Sequence, residues 1–212
     1  MGDRLECPPT RATAFADCDE AAARAAFEQE LALARAWGSP ILAARALEWL
    51  GNLALEQGNV AEAAACYGES LSAFRQARGQ VGASLVLLGL GIVALEQGDP
   101  PRARALLRES LALQLETGMR QGAVPTLEGL AAVAASAPAG AQRALRVAGA
   151  ASAARTRPGA WRVWPNSQVA RDRLERWLLP ARRALTAEAA ETAWAAGHAM
   201  PLEEALARAL DD

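Results

Sequence analysis

Apolar positions in this chain recur at helical spacing, and the helical pattern itself repeats. LEWLGNLALEQGNVAEAAACYGESL begins at Leu47 and LLGLGIVALEQGDPPRARALLRESL begins at Leu87. At an offset of 40, residues 47–86 and 87–126 share 15 identities. These include Leu50/Leu90, Gly51/Gly91, Ala54/Ala94, Ala63/Ala103 and Glu-Ser-Leu at 69–71 and 109–111. A period of this length marks an array in which each unit buries its apolar face on the next.

Each unit reads as a helical hairpin. Gly58 or Gly98 ends the first helix, Asn59 or Asp99 caps the second, and Pro100 and Pro101 fit a first turn. Gly51, Ala54 and Ala63 allow the two helices to approach, while Leu50 with Tyr67, and Leu90 with Leu107, fill the space between them. Leu-Gly, a small residue, Gly-Asn/Asp, Ala and a large residue is the tetratricopeptide spacing. The usual period there is about 34 residues, so 40 implies longer helices or connections. HEAT repeats share the length but not this spacing.

The pattern extends both ways. Ala23, Phe27 and Leu31 lie 40 residues before Ala63, Tyr67 and Leu71, so 19–37 is a second helix whose partner would fall in 1–16. Leu127, Leu130 and Ala134 mark a fourth first-helix, followed by a helix over 141–155, after which the period is lost. Segments 167–184, 187–197 and 201–210 predict three more helices, started at Ser167 or Asn166, at Thr186 and at Met200-Pro201. The expected fold is all-α, a right-handed superhelix of tetratricopeptide-like hairpins with a C-terminal helical extension. Its parts are a partial first helix or disordered N-terminus (1–16), the array (17–155), a joint loop (156–166) and the extension (167–212). An array beginning in mid-repeat implies a piece of a longer protein, or a cover for that end.

Composition sharpens this picture. Fifty-four alanines and few β-branched or aromatic residues favour closely packed helices over strands. All 22 positive charges are arginine, and without lysine there is no Walker A loop. With no apolar run long enough for a membrane span, no signal-peptide core, and Cys7, Cys18 and Cys66 unpaired in spacing, the expected setting is the cytoplasm. Residues 1–140 carry 11 arginines against 16 acids, whereas residues 141–183 carry 10 against 2.

Candidate chemistry is non-catalytic. His198 is the only histidine and has no metal-ligand spacing around it; Cys66 beside Tyr67 reads as a small packing residue. Gly89–Ala94 imitates half a dinucleotide fingerprint but lacks the strand that motif needs. No metal or cofactor is expected.

The groove-lining register of tetratricopeptide first-helices selects Arg45, Glu48, Asn52, Leu55 and Glu56, then Leu85, Leu88, Ile92, Leu95 and Glu96, then Pro125 and Glu128. An apolar strip flanked by charge suits a helix or an extended peptide from a protein partner, or a small ligand. The chain's own C-terminal helices, or a second copy, would suit it equally. A clamp for peptide carboxylates is not reproduced, because Glu48 opposes Arg45 and Asn52. A second candidate is the basic, aromatic stretch of Arg155, Arg157, Trp161, Arg162 and Trp164. It suits single-stranded nucleic acid or an anionic ligand. The competing reading packs the basic helix on the acidic array, with Val169, Leu174, Trp177 and Leu178 inward and the two tryptophans as wedges.

The units LGxxALExGD…A…ESLAL and the ending ETAWAAGHAMPLEEALARAL resemble one bacterial group. They are similar to the C-terminal tetratricopeptide region of LuxR-type regulators and related predicted ATPases. The resemblance covers about 17–212 and implies partner or ligand sensing, not catalysis, in signalling or transcriptional control. The group's nucleotide-binding, sensor and helix-turn-helix parts have no counterpart here.

Overall fold

Helices of 17 residues beginning every twenty residues build the array. In a computed structural model the described residues are 20–156 and 167–211. Among them are α1 (Glu20–Ala36), α2 (Pro40–Glu56), α3 (Val60–Gln76), α4 (Gln80–Glu96), α5 (Pro100–Glu116), α6 (Val124–Ala135), α7 (Ala141–Thr156), α8 (Gln168–Ala184), α9 (Ala187–His198) and α10 (Leu202–Asp211). The extra length of the repeat lies in its helices, since the connections between α1 and α5 are three residues long.

The same joint closes each of the first five helices. One residue with positive φ follows each helix: Gly38, Gly58, Arg78, Gly98 and Gly118, at 63°, 77°, 55°, 72° and 75°. The next amide then donates back to the last turn: Ser39 to the Ala34 carbonyl, Asn59 to Ala54, Gly79 to Phe74, Asp99 to Ala94 and Met119 to Gln114, at 2.7–2.9 Å. This left-handed closure satisfies carbonyls that a helix end leaves orphaned. Asp99 caps α5 by accepting from the Arg102 amide at 3.0 Å. Asn59, expected to cap α3 in the same way, makes no side-chain bond there. Its φ of −80°, against −113° for Asp99, places the side chain differently over the first turn.

Packing repeats every forty residues. The Tyr67 ring on α3 lies between Gly51 on α2 and Gly89 on α4; Leu107 on α5 lies between Gly91 on α4 and Gly129 on α6. A Cβ at Gly51 or Gly89 would meet the tyrosine ring at 2.6 or 2.5 Å, so these glycines are spaces for the side chain opposite. Ser70 Oγ donates to the Ala44 carbonyl and Ser110 Oγ to the Ser84 carbonyl, each at 2.7 Å. On the outer helices Arg35 pairs with Glu69 at 2.8 Å and Arg75 with Glu109 at 2.6 Å. Central α4 is buried on nearly every side, which explains its apolar sequence from Ala83 to Ala94. Around the α1–α2 turn, by contrast, Leu33, Trp37 and Ile41 are exposed.

The last three helices leave the pattern. Helix α9 crosses α7 at very short range: a Cβ on Gly149 would lie 2.4 Å from the Trp194 carbonyl oxygen, and one on Gly197 would lie 1.8 Å from that of Arg146. Leu202, Ala205 and Leu206 of α10 join Leu111, Val124, Leu127 and Ala150 in one cluster. Helix α8 packs on α6 and α7, with Leu178 and Ala181 buried, and reaches across to α2 and α4. Its inward face differs from the expected one. Leu178 is buried and Leu174 and Trp177 half-buried, but Val169 is exposed and Arg173 is buried. Arg173 faces the array, where its guanidinium meets the Leu55 carbonyl and the Glu96 carboxylate. Ser167 caps α8 on the Ala170 amide and Thr186 caps α9 on that of Ala189.

Candidate functional site

The predicted groove residues fall into two groups in the structure. Along α2, Arg45 is half-buried with Nη2 3.9 Å from Glu30 of α1, so it turns away from Glu48. Asn52 is buried, and its Oδ1 accepts from the Tyr67 hydroxyl at 2.7 Å. Glu48 is 9% exposed and has no charged or hydrogen-bonding partner among the described residues. One carboxylate oxygen of Glu56, Oε1, is buried without a donor. Asn52 thus holds the Tyr67 hydroxyl, which also lies within the electrostatic reach of Glu48, Arg173 and Glu56.

The second group lies along α4 and α6. Leu88 and Ile92 are buried and Leu85 and Leu95 half-buried. Glu96 accepts from Arg176 Nη2 at 2.8 Å and lies 3.4 Å from Arg173 Nε. Glu128 is gripped by Arg155 through two bonds, Nε to Oε1 at 2.5 Å and Nη2 to Oε2 at 2.6 Å. Ile92, Pro125, Glu128 and Arg155 then line a cleft of about 540 Å³ together with Arg173, Leu174 and Trp177 of α8 and Trp194 of α9. Helix α8 thus forms one wall of this cleft.

Arg173 lines this cleft, and its burial is what sequence reasoning missed. It is 5% exposed, donates from Nη2 to the Leu55 carbonyl at 2.9 Å, and leaves Nη1 buried without an acceptor. Read on α8 alone it is one arginine among several. Only the fold shows that it crosses to α2.

Burial governs the electrostatics. With no donor to offset desolvation, the Glu48 carboxyl is pushed up to about 7. The Tyr67 hydroxyl is held well above its ordinary value by burial and then by the nearby Glu48 charge, with Arg173 acting in the opposite sense. Burial also raises the Cys66 thiol, helped by Glu62 and Glu69, which is the wrong direction for an activated nucleophile. No group of His, Cys, Asp and Glu among the described residues is placed to hold a metal ion.

Of the basic, aromatic candidate, Arg155 is described and sits on Glu128, while Arg157, Trp161, Arg162 and Trp164 lie outside the described residues. Further along the basic block, Arg173 and Arg176 sit on Glu96, and Arg182 pairs with Glu175 at 3.3 Å and lies over the Trp194 ring at 5.4 Å. These four contacts direct basic charge onto the protein's own surface.

Residues 42–116, which run from the first turn of α2 to the end of α5, match the tetratricopeptide repeat family model. This stretch is a tetratricopeptide-repeat region, and the all-α array of paired helices around it is the corresponding solenoid. No curated protein and no solved structure matches the chain. No helix among the described residues is long and apolar enough to cross a membrane.

Proposed function

We propose that the protein is a non-catalytic interaction module that takes a segment of a protein partner in its concave groove. The match over α2–α5 carries this reading, because stacked tetratricopeptide hairpins build a concave surface suited to extended or helical peptides. The groove residues support it: apolar Leu85 and Leu95 stay half-open between the carboxylates of Glu48, Glu56 and Glu96. The sequence resemblance adds the setting, a bacterial signalling or transcriptional regulator in the cytoplasm. A photo-crosslinking residue at Leu85 should capture a partner in the host cell, while the same residue at Gly68, exposed on α3, should not. Equal capture at both positions, or none at either, rejects the reading.

The cleft beneath α8 favours a second reading, a small ligand sensed within the module. Its volume of about 540 Å³ is that of ordinary small-molecule sites, and Ile92, Leu174, Trp177 and Trp194 give it apolar walls. A bulky residue at Ser152, which lines the cleft, should abolish binding of such a ligand and leave peptide binding unchanged.

A further inference from the structure

Ion pairs link each outer helix of the array to the next, and α1 is not equipped to continue them outward. Glu62 and Glu69 of α3 receive Arg24 and Arg35 of α1, and Glu109 of α5 receives Arg75 of α3. Forty residues before Glu62 and Glu69, α1 carries Ala22 and Gln29. No carboxylate stands at either position to receive an arginine, so this side of α1 is not built for a further hairpin of the same kind. Residues 1–19 do not supply a matching helix either. The repeat register sets Arg11 where Gly51 and Gly91 clear space for the side chain opposite, and Pro8 and Pro9 where α2 has Glu48 and Trp49 in mid-helix.

The same side of α1 is mostly apolar. Ala22, Ala26, Gln29, Leu33 and Trp37 recur at three- and four-residue spacing, and all are exposed. Trp37 continues the helix by donating its amide to the Leu33 carbonyl at 2.9 Å. At 71% it is the most exposed large apolar side chain among the described residues, and α3 and α5 have only Ala77 and Thr117 at its position. The side chains are also graded by size, with alanines toward the start of α1 and Leu33 and Trp37 toward its end. A helix graded in this way fits a copy of itself running in the opposite direction. Trp37 and Leu33 of one copy then rest on Ala22 and Ala26 of the other, and the two-fold axis repeats the contact. Near the axis the same register brings the Gln29 amide of one copy to the Glu30 carboxylate of the other. Arg45, 3.9 Å from Glu30, offsets the like charge of the two Glu30 side chains there. Parallel helices would set Trp37 against Trp37 and Ala22 against Ala22, crowding one end and leaving the other open.

We propose that the exposed side of α1 pairs with α1 of a second copy of this chain, antiparallel, and so joins two arrays end to end. The contact uses none of the groove residues on α2, α4 and α6, and it stands or falls independently of the groove reading. One helix face buries less than the roughly 800 Å² per partner of a standard interface, so the association belongs in the micromolar range.

Sedimentation velocity of the full chain from about 1 to about 100 μM tests this. The wild-type mass should double over that range. Trp37→Arg and Ala22→Glu should each stay monomeric throughout. Both positions are exposed, and glutamate is the residue α3 carries at the position matching Ala22. Circular dichroism confirms that the variants are folded, and Leu33→Arg with Ala26→Glu replaces the pair if either is not. Mixed in equal amounts, the two variants should restore the doubled mass. The arginine introduced in one copy then faces the glutamate introduced in the other, while the second Trp37–Ala22 contact stays native. Val81→Arg, at an exposed position forty residues after Ile41, should behave as the wild type. A wild type that is monomeric at every concentration overturns the inference. So does a dimer that survives Trp37→Arg, one that Val81→Arg weakens as much, or a variant mixture that stays monomeric.

Discussion

Arg173 and Leu55 stand 118 positions apart in the sequence, yet the guanidinium of one donates to the backbone carbonyl of the other at 2.9 Å. The bond joins the C-terminal extension to the second helix of the array, and the pair with Glu96 adds a contact to the fourth. Arg173→Met keeps most of the apolar stem and removes the charge. It should lower stability by about 2 kcal/mol, the scale for a hydrogen bond from a charged group. Hydrogen exchange should rise first in α8, and unchanged protection there would mean that Arg173 does not hold the helix in place.

Arg78 is the one L-residue at a joint otherwise made by glycine, with φ of 55° and an exposed side chain. Side-chain sterics disfavour this backbone region, so Arg78→Gly should raise stability by about 1 kcal/mol. The urea midpoint reports it. A decrease would show that the arginine side chain contributes more than the strain costs.

Two glycines inside helices should respond oppositely to alanine. At Gly197 the added methyl meets the Arg146 carbonyl oxygen, so Gly197→Ala should cost about 3 kcal/mol and loosen α9 from α7. At Gly68 the methyl meets nothing within 4 Å, and Gly68→Ala should gain up to about 1 kcal/mol from helix propensity. Thermal denaturation of the pair checks both signs.

Glu48 should make stability depend on pH in a direction opposite to that of most acids. Its carboxyl moves from 4.5 up to about 7 on folding, so the folded state holds the proton more tightly than the unfolded one. The contribution is fully present below pH 4.5 and is lost as pH rises through about 7, on the order of 3 kcal/mol in total. Glu48→Gln should flatten that part of the profile. Urea midpoints at pH 5 and pH 8 for both proteins settle the matter, and parallel profiles would count against a bare buried carboxylate.

The array was legible because its local rules repeat. Gly58 and Gly98 mark left-handed closures, and Gly51, Tyr67 and their counterparts forty residues on mark the packing between helices. Helices α6 and α7 were legible as the last extension of the repeat, and α8 to α10 from caps and apolar spacing alone. What could not be read was where α8 would lie, since its apolar spacing suggested Val169 facing inward and gave no sign of Arg173 reaching α2. The concave register gave the site residues, but not which carboxylates would receive an arginine. That depends on distances across the superhelix, which no local pattern encodes.

Because the joints after α2 and α4 have the same geometry, the number of hairpins is adjustable. Removing residues 60–99 would place Leu107 against Gly51, Ser110 beneath the Ala44 carbonyl and Glu109 opposite Arg35, recreating contacts the chain already makes. The array itself thus sets no length. Arg173 does: in a shortened chain Glu56 would replace Glu96 beside α8, and Leu55, moved to the place of Leu95, would no longer stand where it now accepts its bond. Helix α8 acts as a gauge, and its fit selects one repeat number from a series that the hairpins alone would tolerate.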